Sequence, residues 1–542
     1  MTHGGALLVR CLEAQGVDRA FCIPGESFLA VLDGLHDSPI DLIVARQEGG
    51  AAMMAEATGK LTGRPGIAFV TRGPGATNAS AGVHVAFQDS TPMILFVGDV
   101  ASDQRDREAF QEVDYGAMFG PLAKWVARID RADRIPEYVS RAFHVAQSGR
   151  PGPVVLALPE DMLSGPADGT PVPAATLPSG KAADDDVAAI VDWLAGAERP
   201  FVLIGGGGWD AAAGRAIGDL AEAMDLPVGA SFRCQDYIDN RHPCYAGDVG
   251  IGPNPALADR VRGADVLLAL GPRLGEMTTS GYTLPVPPVP AQSLIHVHPD
   301  PSELGRVYRP DLAVAARPGA VAAQLARAAR TRTGDRAARA HADYETWQTP
   351  EETPGAVKME RVIAHLNDVL PDDAVVTNGA GNYASWLHRY YRYRGWRTQL
   401  APTSGSMGYG LPAAVAAKLH DPSRDVVCLA GDGCFQMVSQ EFATAVQYGA
   451  AIVVLVCDNA RYGTIRMHQH RAYPGRVSGT EMVNPNFAAL ARAYGGFGAT
   501  VATDADLPAA FARARGSGVP AIVHLILDPA ALSPRLTLPA DA

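Results

Sequence analysis

The chain has 542 residues, 47% of them hydrophobic, with 57 Gly and 41 Pro, which is material for several cores joined by many short turns. That length suits about three domains, and a formal charge of −12 argues against a nucleic-acid partner, which needs a concentrated basic surface. No apolar run approaches the roughly 18 residues that cross a bilayer, so membrane insertion is not expected.

At the N-terminus, Ala6, Leu7, Val9, Arg10, Leu12 and Glu13 predict an amphipathic helix. Arg10 and Glu13 break the apolar stretch that a signal peptide would need. Short β-branched runs follow at 67–71, 93–97, 154–158, 201–204, 266–270, 426–429 and 452–456, alternating with Ala-rich helical stretches. That alternation is the pattern of α/β folds with doubly wound parallel sheets. Residues 164–186, rich in Pro, Gly, Ser and Asp, read as a linker. So do residues 330–356, which are charged and poor in aliphatics. The expected domains are therefore 1–165, a central Rossmann-like 186–335, and 355–532. The basic stretch 389–397, interrupted by Tyr and Trp, reads as a solvated or interface helix end. Seven scattered cysteines without a C-x-x-C pair suit a reducing cytoplasm.

The outer segments echo each other. Lys60-Leu61 begins 13 positions before Gly73-Pro74-Gly75, and Lys418-Leu419 begins 13 before Gly431-Asp432-Gly433. Shared α/β grammar and a duplicated domain both account for this.

The richest local signal is LAGDGCFQM (429–437), followed by LVCDNARYG (455–463). A strand ending in Gly431-Asp432-Gly433-Cys434 and opening onto a helix presents backbone N–H groups to a diphosphate. Asp432 and Asn459, 27 positions apart, offer hard oxygen ligands that suit Mg²⁺, and the backbone carbonyl of Arg461 could complete the protein's share.

Gly-Asp-Gly with Asn 27 positions on resembles the thiamine-diphosphate signature. The surrounding text is similar to the acetolactate synthase (acetohydroxyacid synthase large subunit) family. TSGSMGYGLPAAVAAK (403–418), ARQEGGAAMMAEATGK (45–60), VTRGPGATNA (70–79) and EAFQEVD (108–114) carry the resemblance. It implies pyrimidine-binding, central and diphosphate-binding domains, and a homodimer or homotetramer with active sites at the subunit interface. Glu48 would hydrogen-bond the pyrimidine ring and favour the tautomer whose nitrogen takes the cofactor's C2 proton. Gly25, Gly381, Asn382 and Tyr383 would contact the cofactor, the carbonyl of Gly405 would accept from its amine, and Met407 would wedge its two rings together. Gln111 and Phe110 would face the acceptor, and Arg72 could either meet a substrate carboxylate or sit in a surface ion pair. Pyruvate or a related 2-keto acid is the implied substrate. Benzoylformate-, oxalyl-CoA-, sulfoacetaldehyde- and dione-type lyases use the same apparatus.

Three departures from the family stand out. His468 takes the place of a Trp that shapes acceptor choice, which puts larger aliphatic keto acids in doubt. Gln47 replaces the His of a His-Glu pair. GPRLGEMTTSG (271–281) replaces the usual flavin-contacting stretch, so FAD is left open, and Gly205 to Gly208 read first as a plain glycine-rich turn. GAGNYA (379–384) fits a dinucleotide fingerprint but lacks the acid about 20 residues on, which disfavours a nicotinamide dehydrogenase. No G-x-S-x-G elbow suggests a serine hydrolase. A catalytically silent family member would be expected to lose Glu48, and Glu48 is present.

Overall fold

The computed structural model describes residues 3–178 and 180–539. The expected first helix forms over Gly4–Ala14. The described residues build three six-stranded sheets, and every strand pairing within them is parallel. The strands expected from their aliphatic runs are present, among them Gly66–Val70, Met93–Asp99, Pro153–Pro159, Pro200–Ile204, Val266–Leu270, Val426–Gly431 and Val453–Asp458. Those from Gly66–Val70 to Val426–Gly431 are buried along their whole length, as parallel strands covered on both faces must be.

Numbered from its own first strand, the N-terminal sheet runs 2-1-3-4-6-5, and so does the C-terminal sheet. The echoed motifs occupy equivalent places, each directly after the third strand of its sheet. The topology therefore favours the duplication reading over chance. The central sheet differs. Counted the same way it runs 6-5-4-1-2-3, the dinucleotide-binding order read from the other edge.

One expectation needs correction. The segment 330–356 is not a plain linker, because Arg336–Trp347 forms a helix whose Ala337, Ala340 and Tyr344 are buried. Tyr344 meets Tyr245 of the central sheet edge-on, with ring centroids 4.9 Å apart, so few aliphatics sufficed to dock it. Of the two readings of 389–397 the interface one holds: Tyr393 and Asn240 of the central domain exchange backbone-anchored hydrogen bonds at 2.8 and 2.9 Å, and Arg389 is buried, pairs with Glu351 at 2.8 Å and stacks over the Trp347 ring. Aromatic faces compensate its charge where water would otherwise be needed. All seven cysteines are buried and unpaired. Among the described residues no helix is long and apolar enough to cross a membrane.

The outer domains dock through two helices rich in small residues, Glu48–Thr62 and Gly410–His420. Gly50 is required at this contact, since a Cβ there would lie 2.5 Å from the Glu441 carboxylate. Deeper in the contact is a polar clasp. Lys60 lies between Glu56 (3.3 Å) and Asp89, while Tyr409 and Thr91 donate to Glu56 at 2.5 and 2.7 Å. Asp89 also receives the Thr403 N–H at 2.8 Å, and Lys60 donates to the Ala401 carbonyl at 3.1 Å. Burial opposes the Lys60 charge, but Asp89 and Glu56 outweigh it and hold the ammonium above its ordinary pKa. Burial likewise pushes the Glu56 carboxyl up against the pull of Lys60, with Asp89 adding repulsion.

Candidate active site

In an open α/β sheet, ligands bind beyond the strand C-termini where the strand order reverses. In the C-terminal sheet that place lies between Val375–Asn378 and Val426–Gly431. Gly381, Asn382 and Tyr383 follow the first strand, and Gly431 to Cys434 follow the second. These residues interlock. A Cβ on Gly431 or Gly381 would meet the Tyr383 ring at 2.9 or 2.8 Å, and the Tyr383 hydroxyl donates to Cys434 Sγ at 3.4 Å while accepting the Gly379 N–H at 3.1 Å. Cys434 Sγ also accepts the Gly408 N–H at 3.0 Å, which ties the turn to the loop carrying Gly405 and Met407. Gly405 is exposed at φ +67°, and Met407 packs partly against the C-terminal core. Tyr383 and Cys434 thus form the floor of the site. Asn382 exchanges hydrogen bonds with Thr464, its N–H donating to Oγ1 at 3.0 Å and its Oδ1 accepting at 2.9 Å.

Asp432 and Asn459 leave the ends of neighbouring strands, where Gly431 pairs with Cys457. Burial pushes the Asp432 carboxyl up to about 6 against the Gly433 N–H and the Asn484 amide that hydrogen-bond it. Asn459 Oδ1 accepts the Arg461 N–H at 3.3 Å, and the Arg461 carbonyl accepts the Gly463 N–H at 2.9 Å, leaving that oxygen a second lone pair.

The N-terminal sheet presents a second group at the same reversal point, between Arg19–Cys22 and Gly66–Val70. A Cβ on Gly25 would lie 2.6 Å from Thr71 Cβ, and one on Gly75 would lie 3.6 Å from Glu48 Oε1. Glu48 opens the helix Glu48–Thr62, and its Oε2 accepts from Asn78 Nδ2 at 2.9 Å. Gln47 caps this helix, its side-chain oxygen accepting the Gly50 N–H at 3.1 Å, which gives the replaced residue a local role. The Gln111 carbonyl accepts the Gly73 N–H at 2.9 Å, and Gln111, Glu108 and Asp106 all have left-handed φ. Phe110, beside it, is 72% exposed. Of the two readings of Arg72 the ion pair is the one present, and it is buried rather than at the surface: Arg72 donates to Glu160 at 2.7 Å and lies 3.5 Å from Glu26. Its proximity to the glycine turn reflects a structural ion pair.

Among the described residues no hydrogen bond joins Gly25, Glu48, Phe110 or Gln111 to the C-terminal group. A cavity of about 1210 Å³ opens between all three domains and runs up to the C-terminal half-site. Gly206 to Gly208, Arg233, Arg273 and Arg317 line it from the central domain, at that domain's own reversal point. Asn382, Gly405, Met467 and His468 line it from the C-terminal domain. Sequence reasoning passed over Asn78, Asp458, Asn484 and His524. Asn78, inside the 70–79 motif, and Asp458, beside Asn459, carried a local signal, whereas Asn484 and His524 carried none.

Models of the thiamine pyrophosphate enzymes match each third of the chain: the N-terminal TPP binding domain at 2–118, the central domain at 187–325 and the C-terminal TPP binding domain at 379–525. The fold and the two glycine turns are thus those of a thiamine-pyrophosphate-dependent enzyme. The acetolactate synthase large subunit of Parasynechococcus marenigrum (strain WH8102) is 33% identical over 93% of this chain and 84% of its own length. A probable acetolactate synthase large subunit of Methanocaldococcus jannaschii is 30% identical over 98% and 93%. The catabolic acetolactate synthase of Raoultella terrigena is 31% identical over 97% and 95%. The chain belongs to the acetolactate synthase-like family of thiamine-diphosphate-dependent carboligases.

Proposed function

We propose that the protein converts pyruvate, or a closely related 2-keto acid, into an acetohydroxy acid, with Mg²⁺ securing thiamine diphosphate. The observation that carries this reading is the matched pair of half-sites, one bearing Glu48 and the other Asp432 and Asn459, at equivalent points of two like sheets. The residues present fit the cofactor. Gly405 would meet nothing within 4 Å even with a Cβ, and the adjacent Ser404 Oγ is buried without a partner. Among the described residues no three His, Cys, Asp or Glu side chains converge on a metal site. A cation here would take Asp432, the Asn459 amide, the Arg461 carbonyl and phosphate oxygens, a donor set that suits Mg²⁺.

Bound at this site, thiamine diphosphate supplies the electron sink that decarboxylation and carbon–carbon bond formation require. Glu48 would hold the pyrimidine nitrogen, Gly405 would offer its carbonyl and Met407 its apolar bulk, while Gly431 and Gly433 keep side chains away from the diphosphate. His468, exposed on the cavity wall, makes that wall polar and favours pyruvate over a longer aliphatic acid as acceptor. The three-domain cavity exceeds the roughly 300–1,000 Å³ of common small-ligand sites, and this supports FAD there more strongly than the glycine motif alone. Pyruvate consumption by the purified protein with thiamine diphosphate and Mg²⁺, with FAD added or omitted and product identified by mass spectrometry, tests all of this. Acetolactate is the expected product, and turnover of other carbonyl substrates but not pyruvate would overturn the substrate assignment.

The lack of any hydrogen bond between the half-sites of one chain also supports a homodimer or homotetramer, in which Glu48 of one copy faces Asp432 of another. Exposed Leu29, Phe110, Ile465, Tyr473 and Val483 are apolar surface such an interface would cover. Glu48→Gln and Asp432→Ala, each inactive alone, should recover activity when unfolded and refolded together. Random pairing leaves one intact site in each mixed dimer, about one quarter of wild-type activity. Failure to complement would place each site within a single chain.

A further inference from the structure

Asn484 lies between the helices Gly463–Ala472 and Phe487–Ala493, far along the chain from the Gly-Asp-Gly turn. Its carboxamide nitrogen donates to Asp432 Oδ2 and to Asp458 Oδ1, both at 2.7 Å. Its oxygen accepts from Gln436 Nε2 at 2.9 Å. Both N–H groups of the amide are thereby used, and the reverse orientation would set its carbonyl against two carboxylates. The other Asp458 oxygen pairs with His524 Nε2 at 2.7 Å, and the other Asp432 oxygen accepts the Gly433 N–H at 2.8 Å. A single neutral side chain therefore spaces two acidic groups at the tips of adjacent strands.

We propose that Asn484 is a positioning residue for the Mg²⁺ centre: by occupying one Asp432 oxygen and buffering it from Asp458, it fixes the ligand's orientation toward the cation. The inference rests on the reading of Asp432 and Asn459 as Mg²⁺ ligands. A freely rotating carboxylate must be ordered when the cation arrives, whereas one already held by a fixed donor is not. Without the amide, Asp432 and Asp458 would also repel each other with nothing between them, turning Asp432 from its present seat. Groups that orient a metal's direct ligands typically account for 10–100-fold in metal affinity.

The test uses Mn²⁺ as a paramagnetic stand-in, titrated by electron paramagnetic resonance into the full-length protein with thiamine diphosphate. Wild type is compared with Asn484→Ala, Asn484→Leu and Asp432→Ala, and the unfolding midpoint of each apoprotein is recorded. Asn484→Leu keeps the side chain's bulk but removes both donors, so it separates hydrogen bonding from packing. Both Asn484 variants should bind Mn²⁺ about 10–100-fold more weakly, with apoprotein midpoints alike enough to show intact folds. Wild-type affinity in Asn484→Leu would overturn the positioning role while leaving the Mg²⁺ reading in place. Equal binding by wild type and Asp432→Ala would overturn the metal reading itself, and this proposal with it.

Discussion

Glu48→Gln should retain thiamine diphosphate and lose catalysis by roughly 10²–10⁴-fold, the range a positioned acid–base group contributes. The amide can still accept from Asn78 through its carbonyl, so the side chain has no reason to leave its place. What disappears is a negative charge at the first turn of Glu48–Thr62, whose stabilising interaction with the helix dipole is about 0.3–1 kcal/mol. The effect on folding is thus small beside the effect on rate, and the two separate cleanly. Calorimetric titration of the cofactor and deuterium exchange of its C2 proton, followed by NMR after acid quench, measure the two quantities. Near-normal binding with much slower exchange is the expected pair of results. A variant exchanging at the wild-type rate would remove Glu48 from the chemistry.

Lys60→Ala should cost the fold about 3–5 kcal/mol, the range for breaking a buried ion pair by removing one partner. Side-chain exposure is 0% for Glu56 and 1% for Asp89, so both carboxylates are left buried without their counter-charge. Against a total stability of roughly 5–15 kcal/mol that is a large fraction. The damage should also reach the cofactor loop, because Asp89 holds Thr403 two residues before Gly405. Chemical denaturation of the apoprotein is the measurement. Adding Glu56→Gln to the Lys60→Ala protein should recover part of the loss by removing one of the two opposed charges. A cost below about 1 kcal/mol, typical of exposed pairs, would show the clasp to be dispensable.

What the sequence made legible was whatever its chemistry concentrates locally. The buried parallel strands announced themselves as unbroken aliphatic runs, and Gly-Asp-Gly followed by Asn459 announced a diphosphate and a hard cation. Glu48 was legible only through its neighbours, since an acid at a helix start is ordinary by itself. The features that escaped are those assembled from distant residues. Asn484 reaches Asp432 across 52 positions, and Thr403 reaches Asp89 across 314, with no spacing to advertise either contact. The helix Arg336–Trp347 was hidden because Ala and one Tyr, rather than an aliphatic stripe, fasten it. Arg72 was legible as an ion-pair candidate but not its partner, because Glu160 lies 88 residues on.

The large cavity is walled by all three domains, since Lys60, Arg233 and Gly405 all border it. A molecule filling it can be held only while all three domains are folded together. Its binding free energy is then added to the stability of the whole assembly at once, by an amount set by its concentration relative to its dissociation constant. Depletion of such a ligand would leave the three domains to melt with a degree of independence, while saturation would make them unfold as one thermodynamic unit. Cellular supply of that molecule would in this way govern how long the folded protein persists, apart from any part the molecule plays in turnover.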